Sequence, residues 1–304
     1  MYDIIGDVHG KADALKDLLL KMGYRKSAGY YSHPERKAIF TGDIINRGKK
    51  VRQSLKIVKR MVDNKSAYAV MGNHEYNLIC YHTRSLLGRG YLKKHNQANR
   101  TLFYQTTRAF IDHPGEWEEY LDWMKQLPLF LEFEHFRVVH ACWDKRIIKF
   151  VKRNLPGNRM TEVFLQNSAR DNTIENDVIK ILLTGVEIPV DKLTTVINSN
   201  GSPVDNMRIK WWLQPENLRL GEVAFGEYKI KPNRLIKKGE KEKFIPYSRS
   251  KRPVFIGHYC LREEPGLQSD NVCCVDYCCY RNGKLASYRM QGESRLVREN
   301  IVAV

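Results

Sequence analysis

Along the first seventy or so residues, short apolar runs alternate with segments whose hydrophobic residues recur every three to four positions. The runs predict buried strands, and the longer spacing predicts helices with one apolar face. The three strands are YDIIGD (2–7), KAIFTGD (37–43) and SAYAVMGN (66–73). The helical stripes between them are Leu15, Leu18, Leu19 and Met22, then Val51, Leu55, Val58 and Val62. Because helices separate the strands, we expect parallel pairing and an α/β sheet.

The pattern changes in the rest of the chain. Residues 81–126 have a polar, helical pattern, and PLFLEFEHFRVVHA (128–141) predicts a two-stranded hairpin. Strands return in PVFIGH (253–258) and in 272–290, where Asn282-Gly283 predicts a two-residue hairpin turn. No stretch reads as an interdomain linker. We therefore predict a single domain over 1–304, with a helical insertion at 81–127 and a mixed helical and loop insertion on the substrate side at 150–252.

Composition narrows the class of protein. The chain has 304 residues, of which 42% are hydrophobic and 28% charged, as in ordinary globular proteins. Its apolar runs are shorter than the roughly 20 residues that a membrane helix needs. The N-terminus, MYDIIGD, lacks the charged and apolar regions of a signal peptide. We expect a cytoplasmic protein that does not bind membranes.

The net charge of +17 is the unusual bulk property. Basic residues concentrate at 144–154 and 229–252. Such a surface attracts acidic or phosphate-rich partners, including nucleic acids. A solubilising surface explains a run of charge equally well.

Seven cysteines include the doublets Cys273-Cys274 and Cys278-Cys279. Paired thiols can hold a metal, but neighbouring residues on a strand point to opposite faces. Cysteine also packs as a small hydrophobe. We therefore predict strand-core cysteines rather than a zinc site.

Polar residues follow apolar runs at five places. These are GDVHG (6–10), TGDIINRG (41–48), GNHE (72–75), VVHA (138–141) and FIGH (255–258). A single Asp or His at a strand end is commonly a turn or structural residue. Ligands of α/β sheets, however, bind outside the carboxyl ends of the strands. The recurrence therefore predicts that these side chains converge.

The residue types indicate one chemistry. Carboxylate, imidazole and amide oxygen form a mixed oxygen and nitrogen set that suits Mn, Fe or Zn. Two such ions about 3.5–4 Å apart can clamp an in-line displacement at phosphorus.

The motifs DVHG, GDIINRG and GNHE, followed by isolated His140 and His258, resemble the phosphoprotein-phosphatase branch of the calcineurin-like metallophosphoesterases. That branch includes symmetrical diadenosine tetraphosphatases and the phosphatase module of bacterial polynucleotide kinase-phosphatases. The resemblance implies a two-sheet β-sandwich flanked by helices, with two divalent ions at the carboxyl ends of the strands. Manganese is the expected metal, and Fe, Zn, Ni and Mg are alternatives.

Carried over to this chain, the resemblance also implies roles for single residues. Asp7 and His9 would hold the first ion, and Asp43 would bridge both. Asn73, which would also contact substrate, His140 and His258 would hold the second ion. A hydroxide shared by the ions would attack phosphorus directly.

Two further roles follow from the resemblance. Arg47 would bind phosphate oxygens, and His74 would be the general acid that protonates the leaving oxygen. A second phosphate-binding arginine is expected from the insertion, where Arg208 is the candidate and Arg170 and Arg219 compete.

Glu75 is expected to make a structural contact at the start of the next helix. Asn46 stands where many relatives have an aspartate that pairs with the acid histidine. Asparagine can orient the His74 ring but supplies no charge.

The substrate stays open at the level of sequence. A Ser/Thr phosphatase-like enzyme acting on phosphoproteins is the first expectation, and hydrolysis of nucleotide or nucleic-acid phosphates is the alternative. Trp211 and Trp212 could stack on a base or form part of the core. The alternative from another class is a non-catalytic, basic nucleic-acid-binding protein with structural metals.

Overall fold

The computed structural model describes residues 1–88, 90–199 and 201–304. Its strands are β1 (Tyr2–Ile5), β2 (Arg25–Ser27), β3 (Tyr30–Ser32), β4 (Lys37–Phe40), β5 (Ala67–Ala69), β6 (Phe130–Glu132), β7 (Arg137–Val139), β8 (Glu187–Pro189), β9 (Thr195–Asn198), β10 (Asn206–Arg208), β11 (Tyr228–Lys231), β12 (Val254–Ile256), β13 (Val272–Cys274), β14 (Asp276–Tyr277), β15 (Lys284–Met290) and β16 (Ile301–Ala303). Its α-helices are α1 (Ala12–Lys21), α2 (Val51–Asp63), α3 (Asn73–His82), α4 (Gln97–Ala109), α5 (Pro114–Lys125), α6 (Lys145–Asn154), α7 (Glu162–Ser168), α8 (Ile174–Ile179), α9 (Leu220–Val223) and α10 (Lys238–Lys241). A π-helical turn, Lys180–Thr184, continues α8, and short 3₁₀ turns lie at Pro156–Asn158, Cys279–Arg281 and Arg298–Asn300.

Two main sheets form the centre of the fold. The first has the order β14-β15-β1-β4-β5, with β16 paired to β15, and the second has the order β13-β12-β7-β6. Strands β1, β4 and β5 are parallel, as the sequence predicts. In the second sheet β12 is parallel to both β7 and β13, while β6 and β7 form the expected antiparallel hairpin.

The two sheets pack face to face. Ile4, Ile39, Val138 and Phe255 belong to one buried cluster between them. The next residue on each strand points to the other face, because side chains alternate along a strand. Those outer-face residues, which are Ile5, Phe40, Val139 and Ile256, belong to a larger cluster with the helices. This arrangement is the helix-flanked sandwich that the resemblance implies.

The helices of the first sheet form where the spacing predicts them. Leu15, Leu18 and Leu19 of α1 are fully buried, as are Val51 and Leu55 of α2. The segment 150–252 continues the larger cluster through residues such as Val178, Leu182 and Trp211. It carries two small antiparallel pairs, β8 with β10 and β9 with β11.

Three local expectations were wrong or incomplete. The hairpin of β2 and β3 carries no apolar run and was not predicted. The turn before β15 spans residues 278–283 rather than two residues, because the Cys279–Arg281 helical turn is inserted. The basic segment 229–253, whose sequence predicts a loop or a loosely packed hairpin, contains most of β11 and all of α10.

The cysteine prediction holds for one doublet only. Cys273 and Cys274 are fully buried on β13, as predicted. Cys278 instead forms a disulfide with Cys260, in the loop that follows β12. Among the residues that the structure describes, no cysteine belongs to a group with metal-ligand spacing.

The strand ends approach one another closely. A side chain at Gly42 would lie 2.6 Å from the Cα atom of Gly72, so both glycines allow β4 and β5 to end together.

In the described residues, none of the helices has the length and apolar character that a membrane span requires.

Candidate metal centre

Four predicted ligands meet where β4, β5, β7 and β12 end. The Oδ1 atom of Asn73 lies 3.0 Å from Nε2 of His140 and 2.8 Å from Nδ1 of His258. The Asp43 carboxylate completes the group, with its Oδ1 atom 3.5 Å from Nε2 of His140. Asp43, His140 and His258 are all buried.

The second group contains His9, Asp43 and His74, whose ligand atoms lie within 4.8 Å of one another. Nε2 of His9 lies 3.7 Å from Oδ2 of Asp43, and Nε2 of His74 lies 3.8 Å from the same oxygen. His74 therefore stands where a ligand could stand, although the resemblance implies that it is an acid. Asp7 borders the first group, because the backbone N–H of His258 donates to its Oδ2 at 3.0 Å.

The hydrogen bonds of two histidines show that the site fits a cation. Nδ1 of His140 donates to the carbonyl oxygen of Thr41 at 2.6 Å, and Nδ1 of His9 donates to that of Ile45 at 3.0 Å. In the neutral ring, Nε2 then carries a lone pair directed at acceptor oxygens. A carbonyl partner that fixes the ring in this way is typical of metal-binding histidines. A divalent ion would satisfy these facing acceptors.

The pKa shifts of Asp7 and His258 also suit a site that binds a cation. Burial raises the pKa of Asp7 well above its usual range, and the nearby Asp276 and Asp43 carboxyls raise it further. Burial, with Arg208 and His140 close by, holds the pKa of His258 well below its usual range. A neutral imidazole is the form that binds metals, and a cation would favour the charged form of Asp7.

His74 is oriented by a chain of hydrogen bonds. The hydroxyl of Thr106 on α4 donates to Oδ1 of Asn46 and accepts from the Asn46 backbone N–H at 3.1 Å. The Nδ2 amide group of Asn46 therefore faces Nδ1 of His74 at 2.7 Å. His74 accepts this bond, which leaves the ring proton on Nε2. Burial lowers the pKa of His74 to about 3, so the ring is neutral near pH 7.

Glu75 has the structural role that we expected. Its buried carboxylate accepts from the backbone N–H groups of Asp43 at 2.8 Å, Ile44 at 2.9 Å, Ile45 at 3.2 Å and Gly72 at 3.1 Å. It thereby ties the loop after β4 to the start of α3.

The candidate phosphate-binding arginines, Arg47 and Arg208, have different neighbours in the site. The guanidinium of Arg47 is exposed and lies 5.3 Å from the ring centre of Tyr280. Arg208 donates from Nη1 to the carbonyl oxygen of His258 at 3.4 Å, and its Nε lies 3.6 Å from Glu187. Arg208 also lines one cavity together with Asn73 and His258, and neither Arg170 nor Arg219 lines it.

The two tryptophans are part of the core. Trp211 is fully buried and donates from Nε1 to the carbonyl oxygen of Ala141 at 3.1 Å, and Trp212 is 5% exposed.

The sequence reasoning missed Thr106 and Tyr280. The Tyr280 ring packs edge-on against His9, with centroids 4.8 Å apart. In the sequence, Tyr280 lies between a cysteine doublet and an Asn-Gly turn, and nothing in that pattern indicates a residue beside a metal site. The backbone of the site was also not foreseen, since His9, Asp43, Asn46, Arg47 and His258 all have positive φ. Such conformations are costly for non-glycine residues and concentrate at functional sites.

Fold and site together define a class of proteins in which two packed sheets carry a candidate metal centre where their strands end. A family model described as calcineurin-like phosphoesterase matches residues 2–226, and the chain belongs to this family.

Curated relatives share part of the chain. It is 34% identical over 167 residues to the asymmetrical bis(5'-nucleosyl)-tetraphosphatase PrpE of Halalkalibacterium halodurans, covering 49% of this chain and 63% of that protein. It is 30% identical over 207 residues to the symmetrical bis(5'-nucleosyl)-tetraphosphatase of a Marinomonas species, covering 64% of this chain and 63% of that protein. The matches thus span less than two thirds of these relatives.

Among solved structures, the cold-active protein-tyrosine phosphatase of a psychrophilic Shewanella species matches with a TM-score of 0.53 and 17% identity. The match covers 99% of this chain and 79% of that one. At that identity, the likeness concerns the fold alone.

Proposed function

We propose that this chain is a metal-dependent phosphoesterase that hydrolyses nucleotide phosphates. The convergence of Asn73, His140 and His258 on Asp43 carries the proposal, because their facing oxygen and nitrogen atoms lie 2.8–3.5 Å apart. Divalent ions bound there, manganese foremost, would neutralise charge on the phosphoryl oxygens and lower the pKa of an attacking water.

The ligand assignment follows the resemblance and is supported by the geometry of the acceptor atoms. One ion would be held by Asp7, His9 and Asp43, and the other by Asp43, Asn73, His140 and His258. Asp43 is suited to serve both, because each of its oxygens faces a different histidine: Oδ1 lies 3.5 Å from His140 and Oδ2 lies 3.7 Å from His9.

The remaining residues act on the phosphoryl group. Arg47 and Arg208 bind its oxygens, since a guanidinium matches phosphate as a planar fork. The bound phosphoryl anion favours the imidazolium form of His74, which donates a proton from Nε2 to the oxygen of the leaving group and returns to the neutral ring.

The substrate class rests on the relatives. Both curated proteins described above are bis(5'-nucleosyl)-tetraphosphatases. This favours the nucleotide alternative over the Ser/Thr protein phosphatase that the sequence first suggested. The +17 charge also suits a polyphosphate substrate.

The test is turnover of p-nitrophenyl phosphate with Mn²⁺ and with chelator, followed by a panel under identical metal conditions. The panel contains a dinucleoside tetraphosphate, a phosphopeptide and an oligonucleotide with a 3′-phosphate. We expect chelator-sensitive turnover and the highest kcat/KM for the dinucleoside tetraphosphate. Salt-dependent oligonucleotide binding without phosphate release would instead indicate a binding protein.

The acid role of His74 has a separate test. His74→Asn should lower kcat by about 10²–10⁴-fold on substrates with poor leaving groups. The loss should be smaller for p-nitrophenyl phosphate, whose leaving group needs no proton. His135→Asn, at a histidine whose side chain is 61% exposed, is the matched control. Equal losses on both kinds of substrate would argue that His74 is a metal ligand rather than the acid.

A further inference from the structure

A cavity of about 320 Å³ opens beside the candidate metal centre. One wall comes from the insertion, through β8, β10 and the start of β11, and the other from the loops after β12 and β14. Its volume lies at the lower end of the ~300–1,000 Å³ typical of small-molecule sites. The cavity is therefore of a size for a compact group rather than a length of polypeptide.

Two residues connect this cavity to the metal centre. Arg208 lines it and also lines the cavity that contains Asn73 and His258. Tyr280 lines it as well, and its ring contacts His9. A phosphoryl group held between Arg47 and Arg208 would thus leave the rest of the substrate at the mouth of this cavity.

The walls carry aromatic rings and arginines. Tyr228 is half-buried, and its hydroxyl accepts from the backbone N–H of Arg208 at 3.3 Å, which fixes the ring beside that arginine. Trp211 and Trp212 are buried in the core and do not line this cavity. Tyr228 is therefore the aromatic residue of the insertion that combines a fixed position with a partly accessible ring there.

The ion pairs at the cavity are loose. The side chain of Arg262 is 35% exposed, and its Nη1 lies 3.5 Å from Glu227. The Nε of Arg208 lies 3.6 Å from Glu187. Charge-assisted hydrogen bonds are normally about 2.7–2.9 Å long. Phosphate oxygens can therefore replace either carboxylate with better geometry.

We propose that this cavity is the nucleoside pocket of the enzyme, in which a base stacks on Tyr228 and Arg262 binds a phosphate beyond the one that reacts. The inference rests on the proposed function, since it assigns the part of the nucleotide substrate that the metal centre does not hold.

The first test separates nucleoside binding from catalysis. Binding of AMP to the full chain is measured by calorimetry in chelator, so that no turnover is needed. Tyr228→Leu removes the ring and should weaken AMP binding about tenfold, the factor expected for loss of one base–aromatic stack. Tyr228→Phe keeps the ring but loses the hydroxyl contact to Arg208, so it should lose less affinity than Tyr228→Leu. Tyr104→Leu, at an exposed tyrosine of α4 that lies 5.9 Å from Arg108, is the matched control.

The second test concerns Arg262. Arg262→Ala should weaken ADP and ATP binding several-fold more than AMP binding, because only the longer nucleotides have a phosphate to reach it. Arg249→Ala, at an arginine 81% exposed and 3.8 Å from Asp270, controls for loss of surface charge. Equal losses for AMP, ADP and ATP would overturn the role of Arg262.

Turnover with Mn²⁺ then tests the nucleoside pocket separately from the proposed phosphoesterase activity. For Tyr228→Leu, the ratio of kcat/KM for the dinucleoside tetraphosphate to that for p-nitrophenyl phosphate should fall about tenfold. An unchanged ratio together with unchanged AMP binding overturns the pocket and leaves the phosphoesterase intact. Failure of the wild type to turn over any substrate overturns the proposed function, while AMP binding still decides the pocket. A Tyr228→Leu defect confined to phosphopeptides overturns the nucleoside assignment.

Discussion

The orientation of the His74 side chain depends on two residues from different parts of the sequence. Asn46 belongs to a motif that the resemblance identifies, whereas Thr106 lies sixty residues further along the chain. The Thr106 hydroxyl determines which end of the Asn46 amide faces the imidazole, and the amide determines which ring nitrogen has the proton. An asparagine in place of the aspartate of many relatives is thus compatible with a proton on Nε2.

Asn46→Asp should change the pH dependence of the enzyme. A carboxylate at 46 favours the imidazolium form of His74 and raises its pKa by about one unit or more. The acid then stays protonated to higher pH, so the alkaline limb of the pH–rate profile should move upward. The measurement is kcat against pH on a substrate with a poor leaving group.

Asn99→Asp places the same charge at a half-buried position in the first turn of α4 and serves as the control for Asn46→Asp. An unchanged profile in Asn46→Asp would falsify the pairing of residue 46 with the acid.

At the scale of elements, the site is assembled by loops that follow strands, and Glu75 connects two of them. Its carboxylate accepts four backbone N–H groups, three from the loop after β4 and one from Gly72 before α3. That loop also contains Asn46 and Arg47, whose positive φ values need external support.

Glu75→Gln should destabilise the protein. The amide group replaces one acceptor oxygen by a donor, which leaves buried N–H groups without partners. We expect the free energy of unfolding to fall by about 2–4 kcal/mol, measured by urea denaturation in chelator. Glu134→Gln, on a side chain that is 86% exposed, should change it by no more than about 0.5 kcal/mol. Equal stabilities of the two variants would show that the N–H contacts contribute little.

At the scale of the whole molecule, metal binding should be coupled to stability, because the candidate ligands range from Asp7 to His258 and follow strands of both sheets. An ion that binds only the folded chain adds about 2.7 kcal/mol at a concentration of 100 times its Kd. For a chain of this size, we expect Mn²⁺ to raise Tm by at least about 5 °C. The measurement is thermal unfolding with Mn²⁺ and with chelator.

The paired variants for the metal experiment are His140→Ala and His135→Ala. The first removes a buried candidate ligand and should lose most of the Mn²⁺-dependent rise, whereas the second should keep it. A full rise in His140→Ala would place the stabilising ion elsewhere.

Much of the fold could be predicted because its signals are local. The apolar runs and the helical spacing identify β1, α1, β4, α2 and β5 correctly. Side chains on one face recur every two residues in a strand and every 3.6 residues in a helix, so the sequence itself carries this signal. The β2–β3 hairpin could not be predicted, because burial is slight and the strands lack an apolar pattern. The Asn-Gly turn was misjudged because the residues before it make tertiary contacts: Cys278 is bonded to Cys260, and Sγ of Cys279 lies 3.2 Å from the carbonyl oxygen of Asp7.

The sequence by itself determined which residue types stand at the strand ends, and therefore the family and the chemistry available to the site. Tertiary structure decided how those side chains are used. Packing of the two sheets brings Asp7 within 3.0 Å of the backbone of His258, which lies 251 residues further along the chain, and packing of α4 brings Thr106 to Asn46. Proton positions, the place of Tyr280 and the cavity beside Tyr228 depend on such contacts. A local pattern cannot encode them, because the distances are set by elements far apart in the chain.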